Sequence, residues 1–229
     1  MYSMHNFDIS KAETIIGYSF QDKSLLTRAF THSSFSNENK QCPDYERLEF
    51  LGDAILGLSV GLRLYKCFPT YNEGQLTKKR AELVSAETLS EIIDEYGLID
   101  FMKVGTGHVV EEVKHSDNVK CDLFESIVGA LYLDSGNDFS VAEKFIWTKL
   151  EKYINKERID FKSKTLEYCA KNKIKCTIST RPEQKENAKT FFKCELLIDE
   201  KVFSEGEGKS KHEAEKNACK VFYTQKIKI

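Results

Sequence analysis

Acidic residues at helical spacing mark two otherwise uncharged stretches of this chain. Glu46, Glu49 and Asp53 follow one another at i, i+3 and i+7, and the nine residues after Asp53 carry no charge. Asp122 and Glu125 lie one turn apart and also precede a long uncharged run. On a helix these spacings place the carboxylates of each set on one face. Both faces border segments that are apolar enough to be buried.

Carboxylates this close repel one another, so a fold that contains them must offset the repulsion. At about 4 Å and an effective dielectric near 20, each pair costs on the order of 4 kcal/mol. A basic partner, protonation or a divalent cation could offset this cost, and the nearest basic residue, Arg47, points to another side of its helix. Oxygen ligands without His or Cys suit Mg²⁺ or Mn²⁺ better than zinc. A solvated helix face is the alternative, and the two interpretations are evenly balanced on spacing alone.

The elements that carry these acids are predicted to be helices throughout the first two thirds of the chain. Asp22 is a candidate N-cap, Gly97 a candidate C-terminal glycine, and the residues 105–117 a polar loop. The predicted helices cover about 23–30, 45–65, 73–96, 119–133 and 141–154.

The pattern changes after this region to α-β-β-β-α. A helix over 161–170 precedes alternating runs over 174–178 and 192–198 and a short strand over 201–204, reached by a turn at Asp199-Glu200. Ser210 and Glu213 form a capping-box pattern that opens a closing helix. The predicted fold class is therefore an all-helical domain over 1–155, a linker over 156–159 and an α-β-β-β-α domain over 160–229.

Composition narrows the functional class. The 229 residues carry a net charge of −2, but residues 160–229 hold 16 basic and 11 acidic residues, a net charge of +5, which leaves −7 for the rest. A basic module beside an acidic body indicates polyanion binding. Seven cysteines without a C-x-x-C pair favour reduced thiols. The first ten residues resemble no secretory signal and no apolar run would span a membrane, so a cytoplasmic protein is expected.

The acidic motifs resemble those of the ribonuclease III family. The string from Glu46 to Leu56, ERLEFLGDAIL, matches the family signature almost letter for letter, and the segment 121–134 matches its second acidic motif. Thr31-His32-Ser33-Ser34 and Asn72-Glu73-Gly74 with Leu76 resemble two further family elements. The likeness covers about residues 8–225, in the domain order of the bacterial enzymes.

The resemblance implies an Mg²⁺-dependent endonuclease for double-stranded RNA, with Mn²⁺ able to substitute. Glu49, Asp53, Asp122 and Glu125 correspond to the catalytic, metal-binding carboxylates, and Glu46 and Glu73 to further acids of the catalytic valley. It also implies a homodimer through the catalytic domain, one cut per strand, 5′-phosphate and 3′-hydroxyl ends, and two-nucleotide 3′ overhangs. The implied substrates are ribosomal RNA precursors and structured messenger RNA, and no DNA is expected as a partner.

The last part of the chain resembles a double-stranded-RNA-binding domain. The RNA-binding residues implied lie on its first helix and at the start of its closing helix: Lys162, Ser163, Glu167, Lys209, Ser210, Lys211 and His212. Three features depart from the family pattern: His212 replaces a usual lysine, Leu166 a common glutamine, and 184–187 a usual Gly-Pro-x-His loop. We therefore expect altered RNA affinity.

Two other functions are compatible with parts of the pattern. The first is a double-stranded-RNA-binding protein that does not cleave, although all four acids are retained. The second is a helical metal-dependent hydrolase of nucleotides with a C-terminal oligomerisation module. His32 is a candidate general base, but a hydrogen-bonding role at a helix start suits it better because a metal makes a protein base unnecessary. The nuclease interpretation requires the pair 49/53 to lie next to the pair 122/125.

Overall fold

The computed structural model describes residues 8–107, 109–156, 160–184, 190–208 and 210–227. The chain divides into two compact units, 1–156 and 157–229. No helix among the described residues has the length and apolar character needed to cross a membrane.

The first unit is helical. Its α-helices are α1 (Ile9–Ile16), α2 (Lys23–Ala29), α3 (Ser33–Glu38), α4 (Glu46–Cys67), α5 (Glu73–Leu83), α6 (Ala86–Glu95), α7 (Val109–His115), α8 (Asp117–Asp134) and α9 (Phe139–Leu150), with 3₁₀ turns at Leu98–Phe101 and Glu151–Tyr153. Helix α8 is the central element, because α2, α4, α6 and α9 all pack against it. Its residues 123–131 are all buried, which explains the uncharged run after Glu125.

Two local predictions for this unit were wrong. The helix expected over 73–96 is divided between α5 and α6, because Ser85 has an extended backbone and its hydroxyl accepts a hydrogen bond from the Thr88 amide. That geometry is an N-cap, which starts a new helix. The loop expected over 105–117 contains α7, whose Val113 is buried.

The second unit is an antiparallel sheet with a helix before and after it in sequence. Helix α10 (Phe161–Lys171) precedes strands β1 (Cys176–Gln184), β2 (Thr190–Ile198) and β3 (Lys201–Gly208), and α11 (Lys211–Lys226) follows. The strands lie in the order β1-β2-β3. Asp199 and Glu200 both have positive φ, at 46° and 68°, as a tight hairpin turn requires. The predicted fold class, an all-helical nuclease domain followed by α-β-β-β-α, is confirmed.

Strand β3 is longer than the segment 201–204 expected from sequence. It continues to Gly208, which pairs with Phe192 on β2. Glycine weakens a strand but allows a close backbone approach. A Cβ atom at Gly206 would lie 2.3 Å from the Ala218 amide nitrogen, so the glycine lets α11 lie directly on the strand. The core beneath α11 includes the buried thiols of Cys169, Cys194 and Cys219.

Candidate active site and RNA interface

Helices α4 and α8 cross at two glycines, and this crossing determines where the acids lie. A Cβ atom at Gly52 would be 1.8 Å from the carbonyl oxygen of Glu125, and one at Gly129 would be 2.2 Å from that of Leu48. The two backbones are therefore in direct contact. Glu49 and Asp53 flank Gly52 on α4, so they face the acids of α8.

The acids of the two helices are also close enough for their charges to act on one another. Burial first, then the charges of Asp122, Glu46 and Asp53, raise the pKa of Glu49 to about 7. Burial first, then the charges of Asp53, Asp122 and Glu49, raise the pKa of Glu125 to about 8. The juxtaposition of 49/53 with 122/125 that the nuclease interpretation requires is therefore present.

Asp122 is held by aromatic residues from the segment before α4. The buried Tyr45 donates a hydrogen bond from its hydroxyl to Asp122 Oδ2 at 3.1 Å. Burial raises the pKa of Asp122, whereas the Tyr45 hydrogen bond and the neighbouring His32 act in the opposite direction. The Tyr45 ring in turn contacts the His32 ring, with 5.8 Å between centroids.

His32 is the N-cap of α3. Its Nδ1 accepts a hydrogen bond from the Ser34 amide at 3.1 Å and lies 2.8 Å from the Ser34 hydroxyl oxygen. Burial lowers the pKa of His32, and the charges of Asp122, Glu46 and Asp44 raise it by less. These contacts agree with the helix-start role expected for this residue.

The two accessory acids have different positions. Glu46 is exposed at the start of α4, and its charge acts on both Glu49 and His32. Glu73 is exposed at the start of α5, where its carboxylate accepts a hydrogen bond from the Thr77 hydroxyl at 2.9 Å. Glu73 is not among the charges that shift the pKa of Glu49 or Glu125. Within one chain, the acidic group thus includes Glu46 but not Glu73.

Sequence reasoning missed two neighbours of the acids, Tyr45 and Cys121. The Cys121 thiol donates to Glu125 Oε1, with a sulfur–oxygen distance of 3.7 Å. Its i, i+4 relation to Glu125 could have indicated this contact. Tyr45 and Asp122 are 77 residues apart, and no pattern in the sequence links them.

The donor set fits a hard divalent cation. Four carboxylates face one another, and among the described residues none of them forms a salt bridge with Lys or Arg. Burial raises the pKa of Glu49, Asp122 and Glu125, and the charges of neighbouring acids raise those of Glu49 and Glu125 further. Carboxylate oxygens from two rigid helices are ligands that Mg²⁺ and Mn²⁺ accept.

In the second unit, most of the residues expected to contact RNA lie in or directly before the first turns of α10 and α11. Ser210 caps α11, since its hydroxyl accepts a hydrogen bond from the Glu213 amide at 3.2 Å. Lys211 and His212 are exposed in the first turn of that helix. The amide dipoles of a helix start favour bound phosphate. Lys209 lies outside the described residues.

The corresponding residues of α10 have partners within the unit. Lys162 donates to Glu215 of α11 at 2.7 Å, and the Thr180 hydroxyl of β1 donates to the same carboxylate at 3.2 Å. The Lys162 ammonium group holds the pKa of Glu215 below its usual range. The Ser163 hydroxyl donates to Asp160, the N-cap of the helix, at 2.7 Å. Glu167 is exposed and lies 3.5 Å from the Lys164 ammonium group.

Two of the three departures from the family pattern lie on α10 and α11, the helices that carry these residues. Leu166 is 42% exposed on α10, next to Glu167. His212 is exposed, and its charge acts on Glu215. Of the loop 184–187, the residues 185–187 lie outside the described residues. Leu166 and His212 are therefore available to solvent and to a ligand.

Comparison with known proteins assigns the chain to a family. A "Ribonuclease-III-like" family model matches residues 22–154, and a "Double-stranded RNA binding motif" model matches residues 161–225. The chain is 36% identical over 225 residues to ribonuclease 3 of Leptospira interrogans, covering 95% of this chain and 90% of that protein. It is 38% identical over 226 residues to ribonuclease 3 of Bdellovibrio bacteriovorus, covering 94% and 95%.

Solved structures agree with this assignment. The ribonuclease III nuclease domain of Campylobacter jejuni has a TM-score of 0.58 and 37% identity, and the match covers 63% of this chain and 97% of that one. In that domain, a region involved in dimer formation is structurally flexible. The helical unit of this chain therefore resembles a ribonuclease III nuclease domain in fold. The chain belongs to the ribonuclease III family, the endoribonucleases specific for double-stranded RNA.

Proposed function

We propose that this enzyme hydrolyses double-stranded RNA in an Mg²⁺-dependent reaction, with Glu49, Asp53, Asp122 and Glu125 as the metal-binding, catalytic carboxylates. The observation that carries the proposal is the approach of α4 to α8, which opposes two pairs of acids without basic partners among the described residues. Mn²⁺ substitutes because it accepts the same oxygen ligands.

In this proposal the residues of the chain hold and orient the cation, and the cation would activate the attacking water and stabilise the phosphate. A bound divalent ion lowers the pKa of a water and neutralises charge on the scissile phosphate. Tyr45 fixes Asp122 by its hydroxyl, and burial at the crossing of α4 and α8 keeps Glu125 from rotating into solvent. Water adds to phosphorus and gives up a proton to solvent, while the bond to the 3′-oxygen breaks and that oxygen takes up a proton from solvent. The ends are a 5′-phosphate and a 3′-hydroxyl.

The proposal includes a homodimer. Helix α4 carries Phe50, Leu58 and Tyr65, which are 81%, 54% and 75% exposed. An exposed apolar face of this kind is typical of a protein interface. We assign it to a second copy of the chain, whose opposed cuts leave two-nucleotide 3′ overhangs. Glu46 and Glu73 line the valley between the copies, where Glu73 of one chain supports the acids of the other.

The second unit supplies affinity for the duplex. In our proposal Lys209, Lys211, His212 and the amides that follow Ser210 contact phosphates, and Lys162, Ser163 and Glu167 border the minor groove. Double-stranded RNA is recognised by shape and 2′-hydroxyls, so DNA is not a substrate. We assign residues 1–155 to the catalytic domain, 156–159 to a linker and 160–229 to RNA binding.

The cellular role we propose is the processing of ribosomal RNA precursors and structured messenger RNA in the cytoplasm. The seven cysteines are all free thiols, which is compatible with a reducing compartment.

The test is a cleavage assay with Glu125→Gln. This variant keeps the shape of the side chain but removes one carboxylate, so we expect loss of duplex cleavage in Mg²⁺ by a factor of at least about 100. Duplex binding, measured by fluorescence anisotropy, should stay within about twofold because the second unit carries it.

Glu112→Gln on α7 is the matched control, since Glu112 is exposed and is not among the charges that shift the pKa of Glu49 or Glu125. Labelled duplex RNA, duplex DNA and single-stranded RNA are compared with Mg²⁺ and with chelator. Discrete products from duplex RNA in Mg²⁺ alone support the proposal. Equal cutting by Glu125→Gln and the unchanged protein would refute the assignment of the acids.

A further inference from the structure

A thiol lies among the carboxylates, and the proposed reaction does not use it. Cys121 directly precedes Asp122 on α8 and lies one turn before Glu125. Its sulfur and one oxygen from each of these two acids are within 4.8 Å of one another, and all three side chains are half-buried or nearly buried. No other group of three His, Cys, Asp or Glu side chains comes this close within the described parts of the chain.

The spacing of these atoms suits a soft tetrahedral ion. In zinc sites the Zn–S bond is about 2.3 Å and the Zn–O bond about 2.0–2.2 Å, so neighbouring sulfur and oxygen ligands are roughly 3.5 Å apart. The observed distance from Cys121 Sγ to Glu125 Oε1 is 3.7 Å. The two donors thus already have about the separation that a shared zinc ion needs. Mg²⁺ takes oxygen ligands in octahedral geometry and would leave the sulfur unbound.

We propose that Cys121 is a sulfur ligand that gives the active site a second binding mode, for thiophilic divalent cations such as Zn²⁺. In this mode Cys121, Asp122 and Glu125 hold the ion, Mg²⁺ is displaced and cleavage stops. The S–H bond breaks, a sulfur–metal bond forms and the proton passes to solvent, with no change of oxidation state. This inference rests on the proposed function, because the inhibited site is the proposed magnesium site.

Cobalt is a direct probe of the ligand. A thiolate bound to Co²⁺ gives a near-ultraviolet charge-transfer band that carboxylates do not give. We expect one equivalent of Co²⁺ to produce the band in the unchanged protein, and Cys121→Ser, which keeps the size but replaces sulfur with oxygen, to lose it. Cys67→Ser, which removes an exposed thiol from the same unit, is the matched control and should keep the band. Persistence of the band in Cys121→Ser would overturn the inference.

Zinc inhibition gives the second readout. At fixed Mg²⁺, the Zn²⁺ concentration for half-inhibition should rise more than about tenfold in Cys121→Ser, each variant being compared with its own rate without zinc. Equal sensitivity of both proteins to zinc would contradict the proposal. The two proposals can be contradicted independently. Absence of Mg²⁺-dependent cleavage would contradict the proposed function, whereas the cobalt band tests the thiol ligand whether or not the protein cleaves RNA. Circular dichroism of Cys121→Ser establishes that its fold is retained.

Discussion

At the scale of single residues, the four acids are linked by their mutual electrostatic repulsion. Glu49, Asp122 and Glu125 are at least partly buried, whereas Asp53 is exposed. Burial, together with the charges of the neighbouring acids, raises the pKa of Glu49 to about 7 and that of Glu125 to about 8. Protons therefore neutralise part of the group near neutral pH when no cation is bound. A divalent ion must displace these protons, so proton binding and metal binding compete.

This competition predicts that metal affinity falls with acidity. Glu49 and Glu125 bind protons as pH falls from 8 to 6, so we expect the dissociation constant for Mn²⁺ to rise at least about tenfold over that range. Isothermal titration calorimetry on the RNA-free protein measures it. Glu49→Gln removes one of the two groups whose protons compete with Mn²⁺. The dissociation constant of this variant should therefore change less between pH 8 and pH 6. An affinity that is the same at pH 6 and pH 8 would contradict the raised pKa values of Glu49 and Glu125.

Residue patterns disclosed the acids but not their neighbours. Glu49, Asp53, Asp122 and Glu125 could be singled out because their spacing and their uncharged surroundings are local features of the chain. Tyr45 could not, because its contact with Asp122 depends on how α4 meets α8. Cys121 is four residues before Glu125, so its contact with that acid could be expected on a helix. A cysteine in a helix is usually a small apolar residue, however, so the sequence did not single it out as a metal ligand.

At the scale of elements, the site depends on how closely two helices can approach. Gly129→Ala would place a methyl group 2.2 Å from the Leu48 carbonyl oxygen, and backbone atoms cannot move aside as a flexible side chain can. We expect a loss of about 1–3 kcal/mol in the free energy of unfolding. We also expect weaker Mn²⁺ binding, because the helices must separate and the two pairs of acids with them.

Gly74→Ala on α5 is the control for this prediction. A Cβ atom there would meet only Asn72 Oδ1, at 3.5 Å, which is an ordinary contact, and alanine favours helix more than glycine does. Urea denaturation should therefore give an unchanged or higher stability for this variant. If Gly129→Ala were as stable as Gly74→Ala, the close crossing of α4 and α8 would be wrong.

Element types could be predicted better than element ends. Helical periodicity and the α-β-β-β-α order identified both units, because each pattern extends over many residues. The break at Ser85 escaped prediction since apolar spacing continues across it, and the N-cap is evident only from its bond to Thr88. The C-terminal half of β3 contains Gly206 and Gly208, which resemble loop residues until α11 is seen to lie on them.

At the scale of the whole molecule, the two units differ in charge. Residues 160–229 carry +5 and the rest −7, so RNA phosphates are attracted to one unit and repelled by the other. In the proposed reaction, a cation between the four acids and the phosphate would reduce this repulsion at the point of cleavage. Tethering the acidic unit to a basic one raises the local concentration of duplex beside it. The charge difference by itself indicated only a polyanion-binding module, and the assignment of double-stranded RNA to it depends on the binding motif over 161–225.

The apolar face of α4 leads to a prediction about assembly. Phe50 is 81% exposed, and in the proposed dimer it is buried against the second copy. Burial of this apolar side chain would stabilise the dimer. Phe50→Glu places a charge in that contact, so we expect the protein to change from a dimer to a monomer of 26.3 kDa in sedimentation equilibrium. A monomer lacks the opposed set of acids, and its cleavage of both strands at one site should fall at least about tenfold.

Val202→Glu is the matched control, because Val202 is 52% exposed on β3 and belongs to the other unit. The same change of an exposed apolar side chain to an acid should leave its mass at twice that of the chain. A dimer that persists in Phe50→Glu would show that another surface joins the copies. If the protein without substitutions sedimented as a monomer, the proposed valley between two copies would be wrong. The role assigned to Glu73 beside the acids of a second chain would then be wrong as well.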